Sequence, residues 1–326
     1  MILERGLAMM HTMTRKQFLQ TTAGAAGTAV LSGFATAESI SGSRIRLGVT
    51  LYSYTGDYGV TTMLEDCIAD AAAMKVEGIE LLSETHIPDY PNPADKWVER
   101  WHGLMDKYGT RPSCYNCRVK SRLRKAGALS GEGFLGLMLQ DMQLAKRLGF
   151  RIMRPAWGVE TPEKISAAAW TEMARRALPY AEKYDVKLAV EINSQRTVDF
   201  CMELIAKTKT RHLGLLVDTG TREDSGYLPK EVMGDPRKIL PYLPHVFHIR
   251  GRFHGPYTFS AGGKCWERTQ ELQAEGIAYS KLIPALVRGG YDGYISSEYE
   301  GPRNLIMASN HLGGHNARLR QALGMA

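Results

Sequence analysis

From Ile45 onward, short runs of aliphatic and β-branched residues alternate with longer stretches whose apolar positions recur every three to four residues. Runs at 45–52, 78–83, 112–116, 151–154, 187–192, 213–218, 245–250 and 293–298 predict eight strands. Parallel barrel strands are buried on both faces, so a charged residue inside one stands out. Between them, Thr62-x-x-Glu65 reads as a capping box ahead of Leu64, Ile68 and Ala71, which share one helical face. Further helices are predicted over 93–108, over 134–148 with a stop at Gly149, and over 161–184 behind Thr161-Pro162. Pro179 should kink or split the last of these. Helical patterns also cover 197–207, 236–242, 278–287 and a stretch within 303–323. Eight βα units in about 280 residues predict an α/β fold, a single (β/α)8 TIM barrel, rather than an open sheet. No Pro-, Gly- or Ser-rich linker divides residues 44–326, so one domain is expected.

The first 37 residues follow a different pattern. Thr14-Arg15-Lys16-Gln17-Phe18-Leu19 precedes a mildly apolar stretch at 23–34 and then Ala35-Thr36-Ala37, a small-x-small cleavage pattern. Residues 1–37 therefore read as an export signal, similar to a twin-arginine leader except that Lys16 stands where a second arginine is usual. That places the mature chain, 38–326, in the periplasm or outside the cell. The composition, 44% hydrophobic and 23% charged, is that of a globular protein and excludes disorder. No apolar run reaches the roughly 18 residues of a membrane span. The net charge of +7 falls to +5 once Arg5, Arg15, Lys16 and Glu4 leave with the leader. Without Lys/Arg blocks, this excess excludes a nucleic-acid footprint. Cys67, Cys114, Cys117, Cys201 and Cys265 are an odd, scattered set and read as buried small hydrophobes. Cys114-x-x-Cys117 falls in a predicted strand, and no second pair completes a zinc site.

Charged residues inside buried strands need a reason, and four consecutive strands supply them. The fifth ends in Glu191-Ile-Asn193, the sixth in Asp218, the seventh in His248-Ile-Arg250 and the eighth in Glu298-Tyr-Glu300. All lie near carboxyl ends, the catalytic face of a barrel. Three carboxylates and an imidazole converging there, with no matching set of cations read on the same strand ends, call for a divalent ion. The bland alternative pairs each acid separately with a loop Lys or Arg.

With these residues in order, the chain resembles the xylose isomerase-like sugar isomerase/epimerase superfamily. The resemblance rests on Leu47-Gly-Val, on Glu77-Gly-Ile-Glu80 in the second strand, and on Gly290-Tyr-Asp-Gly-Tyr-Ile-Ser-Ser-Glu298-Tyr-Glu-Gly301 at the close. It implies that Glu191, Asp218, His248 and Glu298 hold one divalent metal, most often manganese, with magnesium, cobalt, iron or zinc as alternatives. Arg250 stands where many relatives have Lys followed by Asp, and Ala278 where an acid is frequent, so contacts near strand seven should differ. Leu51-Tyr-Ser-Tyr54, Ser83-Glu-Thr-His-Ile-Pro88 and 97–115 are more similar to the catalytic subunit of C-glycoside deglycosidases. The trinuclear zinc site of endonuclease-type relatives cannot be assembled: Thr221 follows Asp218 at the third position, and no Asp-x-His follows His248.

A metal so held polarises a sugar carbonyl and acidifies the adjacent C–H. By family analogy Glu191 and Glu298 are both ligands and acid/base, which makes the chain a metal-dependent sugar isomerase/epimerase. The first alternative is a lyase that eliminates the aglycone from a 3-oxo-glycoside, with His86 as a separate base. A loop His bonded to backbone is the competing account of His86. Arg154, Trp157, Asn193 and Arg250 are the substrate-binding candidates. The second alternative is a non-catalytic periplasmic sugar-binding protein. Residues 251–276, with Phe253, His254, Tyr257, Phe259 and Trp266 among glycines, are expected to form an aromatic lid or a subunit contact. The expected partners are a small carbohydrate or glycoside, and either a second copy of the chain or a small partner subunit.

Overall fold

The computed structural model describes residues 44–117, 131–155, 167–192, 195–219, 239–255, 257–259, 266–268 and 279–325. The leader at 1–37, Trp157, Asn193, Thr221 and Cys265 lie outside them. Eight parallel strands close into a barrel: β1 (Arg46–Thr50), β2 (Gly78–Leu82), β3 (Arg111–Asn116), β4 (Ile152–Arg154), β5 (Lys187–Glu191), β6 (Leu213–Asp218), β7 (Val246–Phe253) and β10 (Tyr294–Tyr299). Each strand pairs with its sequence neighbour, and β1 pairs with β10 to complete the ring. The predicted (β/α)8 barrel is the observed fold.

Helices α1 (Leu64–Ala73), α2 (Ser83–His86), α3 (Asp95–Tyr108), α4 (Gly131–Arg147), α5 (Ala167–Tyr184), α6 (Gln195–Thr208), α7 (Tyr279–Arg288) and α8 (Leu305–Ala322) fill the connections. One large apolar core lies between this outer layer and the barrel wall, and includes Ile68, Trp101, Phe150, Val190, Leu215, Ile249 and Ile295. A small second cluster, Cys114, Ala189 and Leu216 with Ile152 and Phe247 against it, is separate from that core. Two positions further along β3, β5, β6 and β4 from Cys114, Ala189, Leu216 and Ile152 come Asn116, Glu191, Asp218 and Arg154. Since side chains alternate along a strand, each of these shares the face of its apolar predecessor. No helix among the described residues is long and apolar enough to cross a membrane.

Several local expectations change. The first helix is capped one residue later than Thr62-x-x-Glu65 implied: the backbone N–H of Met63 donates to Asp66 at 3.1 Å, while the Thr62 hydroxyl donates to Asp57 at 3.0 Å. Pro179 sits inside one helical span instead of dividing it. The stretch expected as a helix at 236–242 is described only from Ile239, and becomes a 3₁₀ segment, Leu240–His245, carrying Pro241 and Pro244. Strand seven runs three residues beyond Arg250, and two short strands, β8 (Tyr257–Phe259) and β9 (Trp266–Arg268), pair antiparallel in the segment expected as a lid. Gly149, at φ 83°, ends α4 as expected, because a left-handed residue there costs glycine nothing. Cys67, Cys114, Cys117 and Cys201 are buried free thiols, as read from the sequence.

Behind the barrel wall, Asp141 of α4 gathers three donors. The hydroxyls of Tyr90 and Tyr115 each donate to Oδ1 at 2.7 Å, and the Cys117 thiol donates to Oδ2 at 2.8 Å. Burial pushes the Asp141 carboxyl up, against these three bonds, which favour the anion. Because every donor is itself buried, deleting the acceptor takes a charged partner from all three at once. Asp141→Ala is therefore expected to destabilise the fold by about 3 kcal/mol or more in urea unfolding. A change below about 1 kcal/mol would show that the donors find other partners.

Candidate functional site

The barrel mouth is built by strand alternation. On β7, His248, Arg250 and Arg252 occupy every second position, and each reaches acids on other strands. Deepest lie His248 and Glu80, both fully buried, with His248 Nε2 3.2 Å from Glu80 Oε2. The Asn116 amide also donates to Glu80, Oε1 accepting at 3.1 Å.

Arg250 lies next along the strand and is only 3% exposed. Its guanidinium donates to Glu80 Oε1, donates to Glu191 Oε1 at 3.4 Å, and lies 3.6 Å from Asp218 Oδ2 and 2.8 Å from Glu298 Oε2. Four strands thus deliver a carboxylate to one cation. Arg252, nearer the rim, donates to Asp218 Oδ2, to Glu191 Oε1 at 3.5 Å and to Glu300 Oε2 at 3.5 Å, with its Nε 3.3 Å from Glu298 Oε1. Arg154, at the end of β4, contacts Glu191 Oε2 through Nε and donates to Asn116 Oδ1 at 2.9 Å. At the rim, Tyr52 donates to Glu300 at 3.2 Å and carries the Arg303 guanidinium 4.4 Å above its ring.

Charge explains why so many acids tolerate burial. Burial alone would raise the Glu80 carboxyl, but Arg250, and then His248, outweigh it and hold the pKa at about 2. Glu191 is likewise held well below the usual carboxylate range, with burial outweighed by Arg154, Arg250 and Arg252. Glu298 goes the other way: burial, reinforced by Asp218 and Glu300 and only partly offset by Arg250 and Arg252, pushes it up to about 8. One acid of the cage is therefore raised while Glu80 and Glu191 are held low.

The structure brings Glu191, Asp218, Glu298, Arg154 and Arg250 together, and adds Glu80, Asn116, Arg252 and Glu300. The metal expectation meets an obstacle. Among the described residues no group of three or more His, Cys, Asp or Glu side chains is arranged to hold a metal ion. The quartet Glu191, Asp218, His248 and Glu298 does not fit one, because the Arg250 guanidinium lies among the three carboxylates and His248 faces Glu80 instead. A divalent ion about 4 Å from that guanidinium would be repelled by roughly 8 kcal/mol at an effective dielectric near 20. The expectation that strand ends carried no matching cations is corrected by Arg154, Arg250 and Arg252. Ending strand seven at Arg250 hid Arg252, although the spacing 248, 250, 252 is the period of a strand. Glu80 carried the other readable signal, a charge inside an apolar run.

His86 is placed elsewhere. It closes α2, its Nδ1 lies 3.1 Å from the Leu82 carbonyl oxygen, and its ring meets Tyr58 edge-on at 4.5 Å. It lines a cavity of about 620 Å³ with Tyr58, Trp97 and Arg100, to which Glu191 and Glu298 do not contribute. The backbone-bonded account of this residue matches its geometry.

The chain belongs to the xylose isomerase-like TIM barrel family, whose sequence profile matches residues 68–323. Among curated proteins it is 24% identical over 318 residues to a C-glycoside deglycosidase alpha subunit of Arthrobacter globiformis, covering 81% of this chain and 87% of that one. It is 26% identical over 317 residues to a 3'-dehydrocarminate deglycosidase alpha subunit of a Microbacterium species, covering 78% and 88%. Among solved structures, a D-allulose 3-epimerase from a Methylomonas species in complex with D-allulose superposes with a TM-score of 0.60 at 16% identity, over 86% of this chain and 97% of that chain. A D-psicose 3-epimerase gives 0.59 at 12% identity, over 86% and 100%. These superpositions establish the shared barrel.

The low Glu80 pKa gives a signed expectation. Its stabilising contribution is present above about pH 4.5, the unfolded value, and is lost as pH falls towards 2. Glu80→Gln should cost about 3 kcal/mol at pH 7 and flatten stability between pH 5 and about 2. An unchanged acid limb in urea titrations would contradict the pairing.

Proposed function

We propose that this protein is a sugar-processing enzyme that removes the proton beside a sugar carbonyl, and that its reaction eliminates an aglycone from a 3-oxo-glycoside. The observation that carries this reading is the cage in which Glu191, Asp218 and Glu298 meet Arg154, Arg250 and Arg252 at the barrel mouth. Carboxylates accept from sugar hydroxyls, and guanidiniums donate to a carbonyl oxygen. Negative charge developing on that oxygen then falls among fixed positive groups that need no reorganisation. The deglycosidase relatives support elimination, because their similarity extends through the sequence over about four-fifths of this chain.

Ionised Glu298 takes the proton from C2, the carbon between the anomeric centre and the 3-carbonyl, and the C2–H electron pair becomes an enolate with its charge on the C3 oxygen. Collapse of the enolate forms a C1=C2 double bond as the C1–aglycone bond breaks. The aglycone leaves with that electron pair and takes a proton from solvent, to which the Glu298 carboxyl returns the one it removed. Glu298 suits the role because a carboxylate raised to about 8 is a stronger base than an ordinary one. Glu191, held ionised, anchors Arg154 rather than moving protons. His86 takes no part in this scheme, and neither does manganese, for which the cage geometry offers no support. Export through the leader and action alongside a partner subunit belong to the same proposal. The latter is supported by the alpha-subunit names of the relatives.

With 4-nitrophenyl 3-oxo-glucoside as probe, the protein should release 4-nitrophenol and, in D₂O, exchange the C2 hydrogen. kcat/KM should rise as pH passes through about 8, and Glu298→Gln should lower it on the order of 10²-fold or more. His86→Ala should stay within a few-fold of the parent. Nitrophenol release indifferent to Glu298 would overturn the assignment of the base. C2 exchange without aglycone release, accompanied by turnover of ketohexoses, would replace elimination by epimerisation.

A further inference from the structure

We propose that the Arg250 guanidinium is the resident cation of the barrel mouth and excludes a divalent metal from Glu191, Asp218, His248 and Glu298. Three features of the strands carry this inference. The first is register. Arg250 pairs with Asp218 across β6, and Arg252 pairs with Glu298 across β10, while His248 is level with Leu216 and Tyr294. The imidazole is therefore out of register with Asp218 and Glu298, though level with Glu191 through Leu216, and its Nε2 faces Glu80.

The second feature is charge pairing. Glu191 is in contact with Arg154, Arg250 and Arg252, and Asp218 and Glu298 each contact both Arg250 and Arg252. A divalent ion needs oxygen lone pairs aimed at one point, and here they are divided among three guanidiniums. The third feature is confinement. Arg250 is 3% exposed and touches acids from β2, β5, β6 and β10, so leaving the centre means breaking contacts on four strands at once. Guanidinium is suited to such a position because its planar fork stays charged and addresses several acceptors together. The barrel thus keeps a family acid set while meeting its charge from within the chain. This inference rests on the same cage as the reaction proposed above, but metal content and melting read the identity of the central cation separately from turnover.

Removing the guanidinium should convert the cage into a cation site. The test uses the full, untagged chain produced in manganese-supplemented medium, with metal content measured by mass spectrometry and melting followed with added Mn²⁺ or EDTA. The parent protein should carry well under one metal per chain, with a melting midpoint unmoved by either addition. Arg250→Ala should acquire close to one Mn²⁺ and gain several degrees on its addition. Arg252→Ala, which keeps Arg250, should remain metal-free. Stoichiometric metal in the parent, with a fall in melting midpoint on EDTA treatment, would overturn the proposal. So would a folded Arg250→Ala variant that takes up no metal. If Arg250→Ala folds only when Mn²⁺ is present, the ion is standing in for the missing guanidinium, and the proposal is upheld.

Discussion

The constraint on which this barrel depends is charge balance in its interior. Glu80, Glu191, Asp218 and Glu298 are all buried, and isolated carboxylates in such surroundings would either take up protons or destabilise the fold. Arg250 resolves most of this by touching all four, and Arg252 and Arg154 complete the lattice nearer the rim. The result is uneven by design of position. Glu80 sits against Arg250 and His248 and is held at about 2, while Glu298 faces Asp218 and Glu300 and is raised to about 8. A single network thus yields both permanently charged anchors and one group able to exchange a proton near physiological pH.

Much of the architecture was legible in the chain. Apolar runs and helical periods identified eight βα units, and parallel strands buried on both faces left Glu191, Asp218, His248, Arg250 and Glu298 conspicuous as charged residues. What escaped was the length of strand seven. Gly251 looked like the start of a loop, yet β7 continues to Phe253, which turns Arg252 inward as a third member of the series after His248 and Arg250. Reading that series would have supplied the missing cations. His86 escaped for a different reason: a residue just beyond a strand end can face the barrel mouth or the helical layer, and only the turn of α2 against Leu82 decides.

The same lattice connects the fold to chemistry. Solved epimerase structures superpose on this chain's closed eight-stranded barrel. In this chain the strand ends bring guanidinium donors beside carboxylate acceptors, the arrangement on which the proposed reaction draws. Strand pairing fixes the register of these groups, so the site inherits its rigidity from the barrel wall.

Which cation occupies the centre decides how the buried acids are balanced. Anomalous diffraction at the manganese edge from crystals grown with Mn²⁺ addresses it directly. It should show no anomalous peak among Glu191, Asp218 and Glu298, with the Arg250 guanidinium still in contact with Glu80 and Glu298. A full-occupancy peak bound by those three acids and His248, with Arg250 turned away, would contradict it.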